Sequence, residues 1–310
     1  MPNEAVTTGT VKARPFNLRG WLLYRLARWI APDYSDPAVL RKLIREDRAR
    51  GPARPPEKVL ARIAFRESRD DGLLAFHATA KTAPPTALKL LYLHGGAYVL
   101  DFQEIQWKLV TGLLARVDAE VIAPIYPLGP EAKWHETVAA TQAFYLSLVE
   151  RHGADNIVIV GDSAGGGLAL LVAQALRDAK LPQPRTLVLF SPGLDLSGSG
   201  ADQPALEKRD PVLSLRMLRD VHGLWAKDVP ADDPRISPLF ASQADLPPTI
   251  VFSGDREILH SDALRLKAIN PAVDHRSYPE MAHVFPLSPL REGRQALDEA
   301  AAFIRRHAQD

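Results

Sequence analysis

Residues 156–176 read NIVIVGDSAGGGLALLVAQAL, and they place a serine at a sharp boundary between two kinds of secondary structure. The apolar, β-branched segment 157–160 is typical of a buried strand, and the leucine- and alanine-rich segment after Gly167 is typical of a helix. Ser163 lies between them, surrounded by residues with little or no side chain. An apolar strand that leads directly into a helix indicates a parallel sheet covered on both faces.

The same alternation of strand and helix continues along most of the chain. We predict apolar strand segments at 73–80, 87–96, 119–126, 156–162, 185–192, 248–259 and 273–281, with helical segments between them from residue 96 onward. We therefore expect an α/β fold whose central, mostly parallel sheet is flanked by helices. Sheets of this kind carry their functional sites at the carboxyl ends of the strands.

The composition excludes several classes of function. The chain has 310 residues, a formal net charge of +1 and no cysteine. The balanced charge gives no electrostatic footprint for nucleic acid, and the lack of cysteine excludes disulfides, thiolate catalysis and cysteine-based zinc sites. No segment approaches the ~20 apolar residues of a membrane span, and the first residues lack the apolar core of a signal peptide. We expect a cytoplasmic protein without stable membrane insertion.

Two helical regions interrupt the strand pattern. Residues 1–60 are broken by several prolines, and a second proline-punctuated insert covers about 197–245. We expect both to form a helical cap over a catalytic domain at 61–310. Within the first region, residues 18–30 have the pattern of an amphipathic helix, which we expect to pack on the protein as a lid element. The alternative is contact with a membrane surface.

The segment Gly161-Asp162-Ser163-Ala164-Gly165 fits the pattern G-x-S-x-G, which carries meaning only between a strand and a helix. In that setting a tight turn lifts the serine hydroxyl above the sheet edge, and small neighbours avoid clashes with the strained backbone. The start of the next helix favours negative charge beside the serine. A Walker-type phosphate loop is the alternative, but the Lys-Ser/Thr pair that it requires is absent. We predict that Ser163 is a nucleophile.

A serine nucleophile needs a base, and on this architecture the chain order is serine, acid, histidine. His283 meets that order, because it lies in a loop directly after the last predicted strand. The other histidines after Ser163 occupy less suitable positions, in the insert, at a helix start, inside a strand or near the chain end: His222, His260, His275 and His307. Two carboxylates, Asp255 and Glu257, follow the preceding strand, and local chemistry does not choose between them.

Backbone N–H groups near the predicted nucleophile could stabilise an oxyanion. The segment HGGAYV at 94–99 follows a predicted strand, and its small residues let the backbone approach a substrate oxygen. The N–H group of Ala164 is a further candidate donor. A simple glycine turn is the alternative reading of the segment 94–97, and its pairing with the Ser163 turn disfavours that alternative.

Five segments of the chain resemble motifs of the hormone-sensitive-lipase-like esterases, a branch of the α/β-hydrolases. They are HGGA (94–97), YPLGPE (126–131), GDSAGG (161–166), the series SPGLDLS, RDPVLS and DPRISPLF between 191 and 240, and MAHVF (281–285). The resemblance implies an α/β-hydrolase fold with about eight strands and a helical cap. It also implies a serine carboxylesterase that hydrolyses short-to-medium acyl esters through an acyl-enzyme, with a small-molecule ester as its partner and with no cofactor or metal. A homodimer paired through an edge strand is typical of the family.

The resemblance also assigns roles to individual residues. Glu257 occupies the position of the family's acid, and Asp255 is the alternative. Gly96, Ala97 and Ala164 occupy the positions of the oxyanion donors, with Gly95 as a further candidate. Ala97 replaces the family's third glycine and can serve only if its φ is allowed. Four tryptophans are candidates to line an acyl pocket: Trp21, Trp29, Trp107 and Trp225.

Other functions remain open from the sequence. An acyltransferase, or a lactone or amide hydrolase, would use the same triad and differ only in the acyl donor or acceptor. A non-catalytic small-molecule receptor of this family would lack the histidine, and the presence of both Ser163 and His283 disfavours that reading.

Overall fold

In the computed structural model, which describes residues 36–308, a single sheet contains eight strands. They are β1 Ile63–Asp70, β2 Leu73–Ala80, β3 Lys89–Leu93, β4 Glu120–Pro124, β5 Ile157–Asp162, β6 Thr186–Phe190, β7 Thr249–Gly254 and β8 Asp274–Tyr278. Their spatial order is β1-β2-β4-β3-β5-β6-β7-β8. The pairs β1–β2 and β2–β4 are antiparallel and the remaining pairs are parallel, which confirms the expected α/β-hydrolase architecture.

From β3 onward, the α-helices of the described residues separate the strands as the sequence pattern predicts. They are α1 Pro37–Arg50, α2 Glu57–Leu60, α3 Trp107–Leu114, α4 Trp134–His152, α5 Ala164–Asp178, α6 Gln203–Glu207, α7 Leu215–Trp225, α8 His260–Ile269 and α9 Arg291–Ala308. Helices α4, α5, α7 and α8 contribute to the apolar core on one face of the sheet, and α3 and α9 contribute to the core on the other. Alternate residues of a single strand therefore serve different cores, as Leu91 and Leu90 of β3 do.

Strand β1 is the strand that the apolar pattern does not reveal. It pairs with β2 over its full length through a two-residue turn at Asp71-Gly72, whose φ values are 51° and 82°. An Asp-Gly pair is a strong signal for this kind of hairpin turn, because both residues must adopt positive φ. The polar sequence of β1, which lies at the edge of the sheet, hides it from a search for apolar segments.

The sheet register brings the predicted site segments to one edge. Strands β3 and β5 are neighbours, and Leu93 of β3 is paired with Gly161 of β5. The segment HGGA therefore leaves the sheet beside the turn that carries Ser163. Strands β6, β7 and β8 lie next in order, so the loops after them open at the same edge.

Helix α1 and the insert at 197–245 supply the described parts of the predicted cap. Leu40 and Ile44 of α1 form a small apolar cluster with Val99, in the loop after β3. The predicted amphipathic segment 18–30, with Trp21 and Trp29, lies outside the described residues. Between residues 36 and 308, none of the helices combines the length and apolar character needed to span a membrane.

Candidate active site

Ser163 occupies a strained turn between β5 and α5. Its φ of 53° and ψ of −123° are rare for a residue with a side chain, and its N–H donates to the carbonyl of Phe190 in the neighbouring strand. A Cβ at Gly165 would lie 2.0 Å from the carbonyl oxygen of Leu93, and one at Gly161 would lie 2.3 Å from the carbonyl oxygen of Gly165. The glycines are therefore required by close backbone packing, which holds the serine hydroxyl above the sheet edge.

The structure brings Ser163 and His283 together across 120 positions of the chain. Nε2 of His283 lies 2.9 Å from Oγ of Ser163, and Nδ1 of the same ring lies 2.6 Å from Oε2 of Glu257. The imidazole thus lies between a hydroxyl and a carboxylate. This is the arrangement in which a neutral histidine accepts a proton from serine while the acid holds the ring in one tautomer.

Of the two candidate acids, Glu257 rather than Asp255 faces the imidazole. The side chain of Glu257 is fully buried, and its Oε1 accepts hydrogen bonds from the Ser191 hydroxyl at 2.7 Å and the Gly254 N–H at 2.9 Å. Asp255 instead accepts a hydrogen bond from the N–H of Glu280 at 2.7 Å. Its carboxylate is therefore engaged in the loop that leads to His283 and does not contact the ring.

The surroundings of His283 make its imidazole a stronger base. Burial lowers the pKa of His283, but the hydrogen bond and negative charge of Glu257, helped by the charges of Asp210 and Asp162, outweigh that effect. The net result is a pKa raised above the usual 6.5 of histidine. The ring is therefore suited to take a proton from the serine and to hold it as an imidazolium.

The loop after β3 presents free backbone N–H groups beside the serine turn. The N–H of Gly95 donates to Oδ1 of Asp162 at 3.0 Å, so it is already engaged. Within the described part of the chain, the N–H groups of Gly96, Ala97 and Ala164 make no hydrogen bond. These three groups are therefore available to a substrate oxygen, whereas Gly95 is not.

The backbone of this loop is unusual at both candidate donors. Gly96 has a φ of 125°, and a Cβ there would lie 2.6 Å from the carbonyl oxygen of Leu100. Ala97 has a φ of 55°, so this alanine adopts the left-handed conformation that the family's glycine would adopt without strain. The conformation is allowed for alanine but carries a cost that surrounding contacts must offset.

Asp162 is a site residue whose role local sequence reasoning does not reveal. Its buried carboxylate accepts hydrogen bonds from the Tyr92 hydroxyl, the Gly95 N–H and the Gln106 amide. Burial raises the pKa of Asp162, although these three donors oppose the shift. The side chain ties the serine turn to the loop that carries the free N–H groups. Asp162 stands at the first variable position of G-x-S-x-G, and the pattern does not predict these hydrogen bonds.

Helix α1 and helix α7, which belong to the predicted cap, contact the same loop. Trp225 of α7 stacks on Tyr98, with ring centroids 3.8 Å apart and an interplanar angle of 3°. Asp47 of α1 accepts hydrogen bonds from the Asp101 N–H and the Gln103 side-chain amide, each at 2.6 Å. These contacts tie helix α1 and helix α7 to the loop that contains Ala97.

The expectation that Trp107 lines an acyl pocket is wrong. Its ring is 1% exposed and packs with Phe65, Phe76 and Phe102 in the core that includes α3 and α9, and its Nε1 donates to the carbonyl of Ala53 at 2.8 Å. The sequence alone does not show on which face of the sheet a tryptophan side chain packs. Trp225 is also buried, through its stack on Tyr98.

Comparisons with known proteins identify the family. A family model described as the alpha/beta hydrolase fold matches residues 90–287. An acetyl-hydrolase from Streptomyces hygroscopicus is 35% identical over 242 residues, which cover 74% of this chain and 80% of that protein. An esterase from Acinetobacter venetianus is 33% identical over 230 residues, which cover 71% and 76%.

Solved structures give the same result. A crystal structure of an esterase from the bacterial hormone-sensitive lipase family superposes with a TM-score of 0.82 at 26% identity, covering 95% of this chain and 100% of that one. The relatives are named as esterases and hydrolases, and the motifs, the sheet and the catalytic geometry agree with those names. The chain belongs to the hormone-sensitive-lipase-like esterases of the α/β-hydrolase family and is a carboxylic ester hydrolase.

Proposed function

We propose that this protein is a serine carboxylesterase that hydrolyses short-to-medium acyl esters, with Ser163 as nucleophile, His283 as base and Glu257 as the acid of the triad. The observation that carries the proposal is the continuous series of contacts from Oγ of Ser163 to Nε2 of His283 and from Nδ1 to Oε2 of Glu257, at 2.9 and 2.6 Å. Both distances are within the range of effective hydrogen bonds.

The reaction follows from this geometry. Oγ of Ser163 attacks the ester carbonyl while its proton moves to Nε2 of His283, and the imidazolium that forms is stabilised by Glu257. The carbonyl oxygen becomes an oxyanion. The free N–H groups of Gly96, Ala97 and Ala164 stabilise it, and an oxyanion donor contributes about 2.7–4 kcal/mol to the transition state.

Collapse of the tetrahedral intermediate breaks the bond to the leaving alcohol, which takes the proton from Nε2 of His283. The acyl group remains as an ester on Oγ of Ser163. A water molecule then gives its proton to His283 and attacks the acyl-enzyme, and a second collapse returns the proton to Oγ and releases the carboxylic acid.

The substrate range is proposed from the relatives and from the cap. A relative of this chain is named as an acetyl-hydrolase, which supports a short acyl group. We further propose that residues 1–60 and about 197–245 form the cap and that residues 61–310 form the catalytic domain. The proposal of a cap is supported by helix α1 and helix α7, which both pack against the loop after β3.

The test is a comparison of Ser163→Ala with a matched control, Ser242→Ala, which removes the hydroxyl of an exposed serine. We expect Ser163→Ala to lose hydrolysis of p-nitrophenyl butyrate and labelling by a fluorophosphonate, while Ser242→Ala keeps both. A series of p-nitrophenyl esters from acetate to palmitate should show a maximum among the shorter chains. Wild-type activity in Ser163→Ala would overturn the mechanism, and a maximum at palmitate would overturn the substrate range.

A further inference from the structure

The insert at about 197–245, here called the cap insert, contributes a buried carboxylate next to the proposed triad. Asp210 lies between α6 and α7 and is 6% exposed. Its Oδ1 accepts hydrogen bonds from the N–H groups of Val212 at 2.8 Å and Leu213 at 2.9 Å, which fold the turn into α7. Its Oδ2 accepts a hydrogen bond from the N–H of Ile258 at 2.9 Å. That N–H belongs to the peptide group that directly follows Glu257.

We propose that Asp210 is a positioning residue for the Glu257–His283 pair, through which the cap insert controls the acid and the base. The inference rests on the proposed triad. Glu257 is held at its carboxylate by Ser191 and Gly254, both of which belong to the sheet side of the site. Asp210 holds the backbone on the other side of the same residue, so the glutamate is fixed between the catalytic domain and the cap insert.

A neighbouring residue of the insert reaches the histidine loop as well. Nη2 of Arg209 lies 3.4 Å from Oε1 of Glu280 and 3.7 Å from Oδ1 of Asp255. Asp255 in turn accepts the N–H of Glu280, three residues before His283. The two loops that carry the acid and the base are therefore both in contact with one turn of the cap insert. Within that turn, Asp210 makes the buried contact, the hydrogen bond from the Ile258 N–H.

The charges around the imidazole give this arrangement a measurable signature. The ionisable groups that act on His283 are Glu257 from the loop after β7, Asp210 from the cap insert and Asp162 from β5. Burial raises the pKa of Asp210 to about 6, although its three N–H donors and the charge of His283 oppose the shift. Above that pH the ionised carboxylate of Asp210 favours the imidazolium form of His283. Removal of its charge should therefore make the base lose its proton at lower pH.

The experiment compares Asp210→Asn with Asp262→Asn as a matched control. Asp262 is buried like Asp210 and also accepts backbone N–H groups, those of Leu194 and Asp195, but it is not among the charges that raise the pKa of His283. Kinetics with p-nitrophenyl butyrate are measured against pH and expressed per active site, with sites counted by fluorophosphonate labelling. This counting removes the contribution of any misfolded fraction.

We expect Asp210→Asn to lower kcat by about 10- to 100-fold with little change in KM, because a displaced acid costs rate rather than ground-state binding. We also expect the midpoint of the acid limb of kcat/KM to fall by about half a unit or more. Asp262→Asn should reduce the melting temperature without moving that limb. If Asp210→Asn yields too few labelled sites, Asp210→Ser gives the same comparison.

An unchanged kcat and an unchanged acid limb in labelled Asp210→Asn would overturn the proposal, even if the variant melts earlier. Such a result would mean that Asp210 only stabilises the insert. Failure of the proposed function looks different: the wild-type protein itself would then resist the fluorophosphonate, or Ser163→Ala would keep full activity.

Discussion

Ser191 and Glu257 meet through a 2.7 Å hydrogen bond from the serine hydroxyl to Oε1 of the glutamate. The same hydroxyl oxygen accepts the N–H of Val284, the residue after His283, at 3.0 Å. One buried side chain at the end of β6 therefore touches both the acid and the loop of the base. With Oε1 occupied by Ser191 and Gly254, only Oε2 is left to face the imidazole.

Replacement of Glu257 by glutamine removes the negative charge of the side chain but keeps its size, so it tests the contribution of the charge to catalysis. We expect Glu257→Gln to lower kcat/KM for p-nitrophenyl butyrate on the order of 10³- to 10⁴-fold, because the neutral amide no longer stabilises the imidazolium. Asp255→Asn, two residues earlier, removes a carboxylate that binds the Glu280 N–H and should change the rate far less. A larger loss in Asp255→Asn than in Glu257→Gln would contradict the assignment of the acid.

The pH profile should report the basicity of His283. Because its pKa in the folded protein is raised above 6.5, the ring is already protonated at mildly acidic pH and cannot accept the serine proton. Activity should therefore be lost as pH falls and restored as pH rises through a midpoint above 6.5. Initial rates at low substrate concentration measure kcat/KM against pH, and a midpoint below 6.5 would contradict this expectation.

Gly165 should tolerate no side chain. A Cβ there would lie 2.0 Å from the carbonyl oxygen of Leu93 and 2.6 Å from that of His94. Both are backbone atoms, so no flexible side chain could move away to make room. We expect Gly165→Ala to lower the free energy of unfolding by about 3 kcal/mol or more. The same substitution at Gly223, an exposed glycine of α7 with no atom within 4 Å of the added Cβ, should raise it by about 0.5–1 kcal/mol. Urea denaturation measures both, and equal effects would contradict the packing described at the serine turn.

Replacement of Ala97 by glycine should stabilise the folded protein. Its φ of 55° is costly for alanine and free of that cost for glycine, so we expect Ala97→Gly to raise the free energy of unfolding by up to about 1 kcal/mol. The backbone N–H remains, so esterase activity should persist. Ala175→Gly, in the interior of α5, should instead lower stability by about 0.5–1 kcal/mol. A clear loss of stability in Ala97→Gly would mean that its methyl group packs better than its backbone conformation suggests.

The sequence was sufficient to predict the sheet and the site residues that belong to local motifs. The apolar strands predicted the sheet, the G-x-S-x-G pattern between strand and helix pointed to Ser163, and chain order pointed to His283. Each of these inferences depends on a few consecutive residues and on rules that hold for any parallel sheet. The carboxyl ends of parallel strands lie at one edge, so residues far apart in sequence could be expected at one place.

Local chemistry alone could not choose between Asp255 and Glu257; the family resemblance favoured Glu257, and the physical reason lies in tertiary contacts. The turn after β7 is shaped by backbone hydrogen bonds from Asp255 to Tyr278 and from Arg256 to Met281, in another strand and loop. Those bonds decide which carboxylate faces the imidazole, and nothing within residues 255–257 encodes them. The contacts of Asp162 and Ser191, and the contact of Asp210 with Ile258, were hidden for the same reason, because these partners lie far away along the chain.

The carboxylate of Asp162 has a consequence for redesign of the protein. Because it accepts hydrogen bonds from the Gly95 N–H and the Tyr92 hydroxyl, this carboxylate links the turn that carries Ser163 to the loop that carries the free N–H groups of Gly96 and Ala97. We expect substitutions in either segment to disturb the alignment of the serine with those N–H groups. Directed evolution of this enzyme should therefore concentrate its libraries on residues of the cap insert other than Asp210 and Trp225, because those two contact the loops that carry the reacting groups.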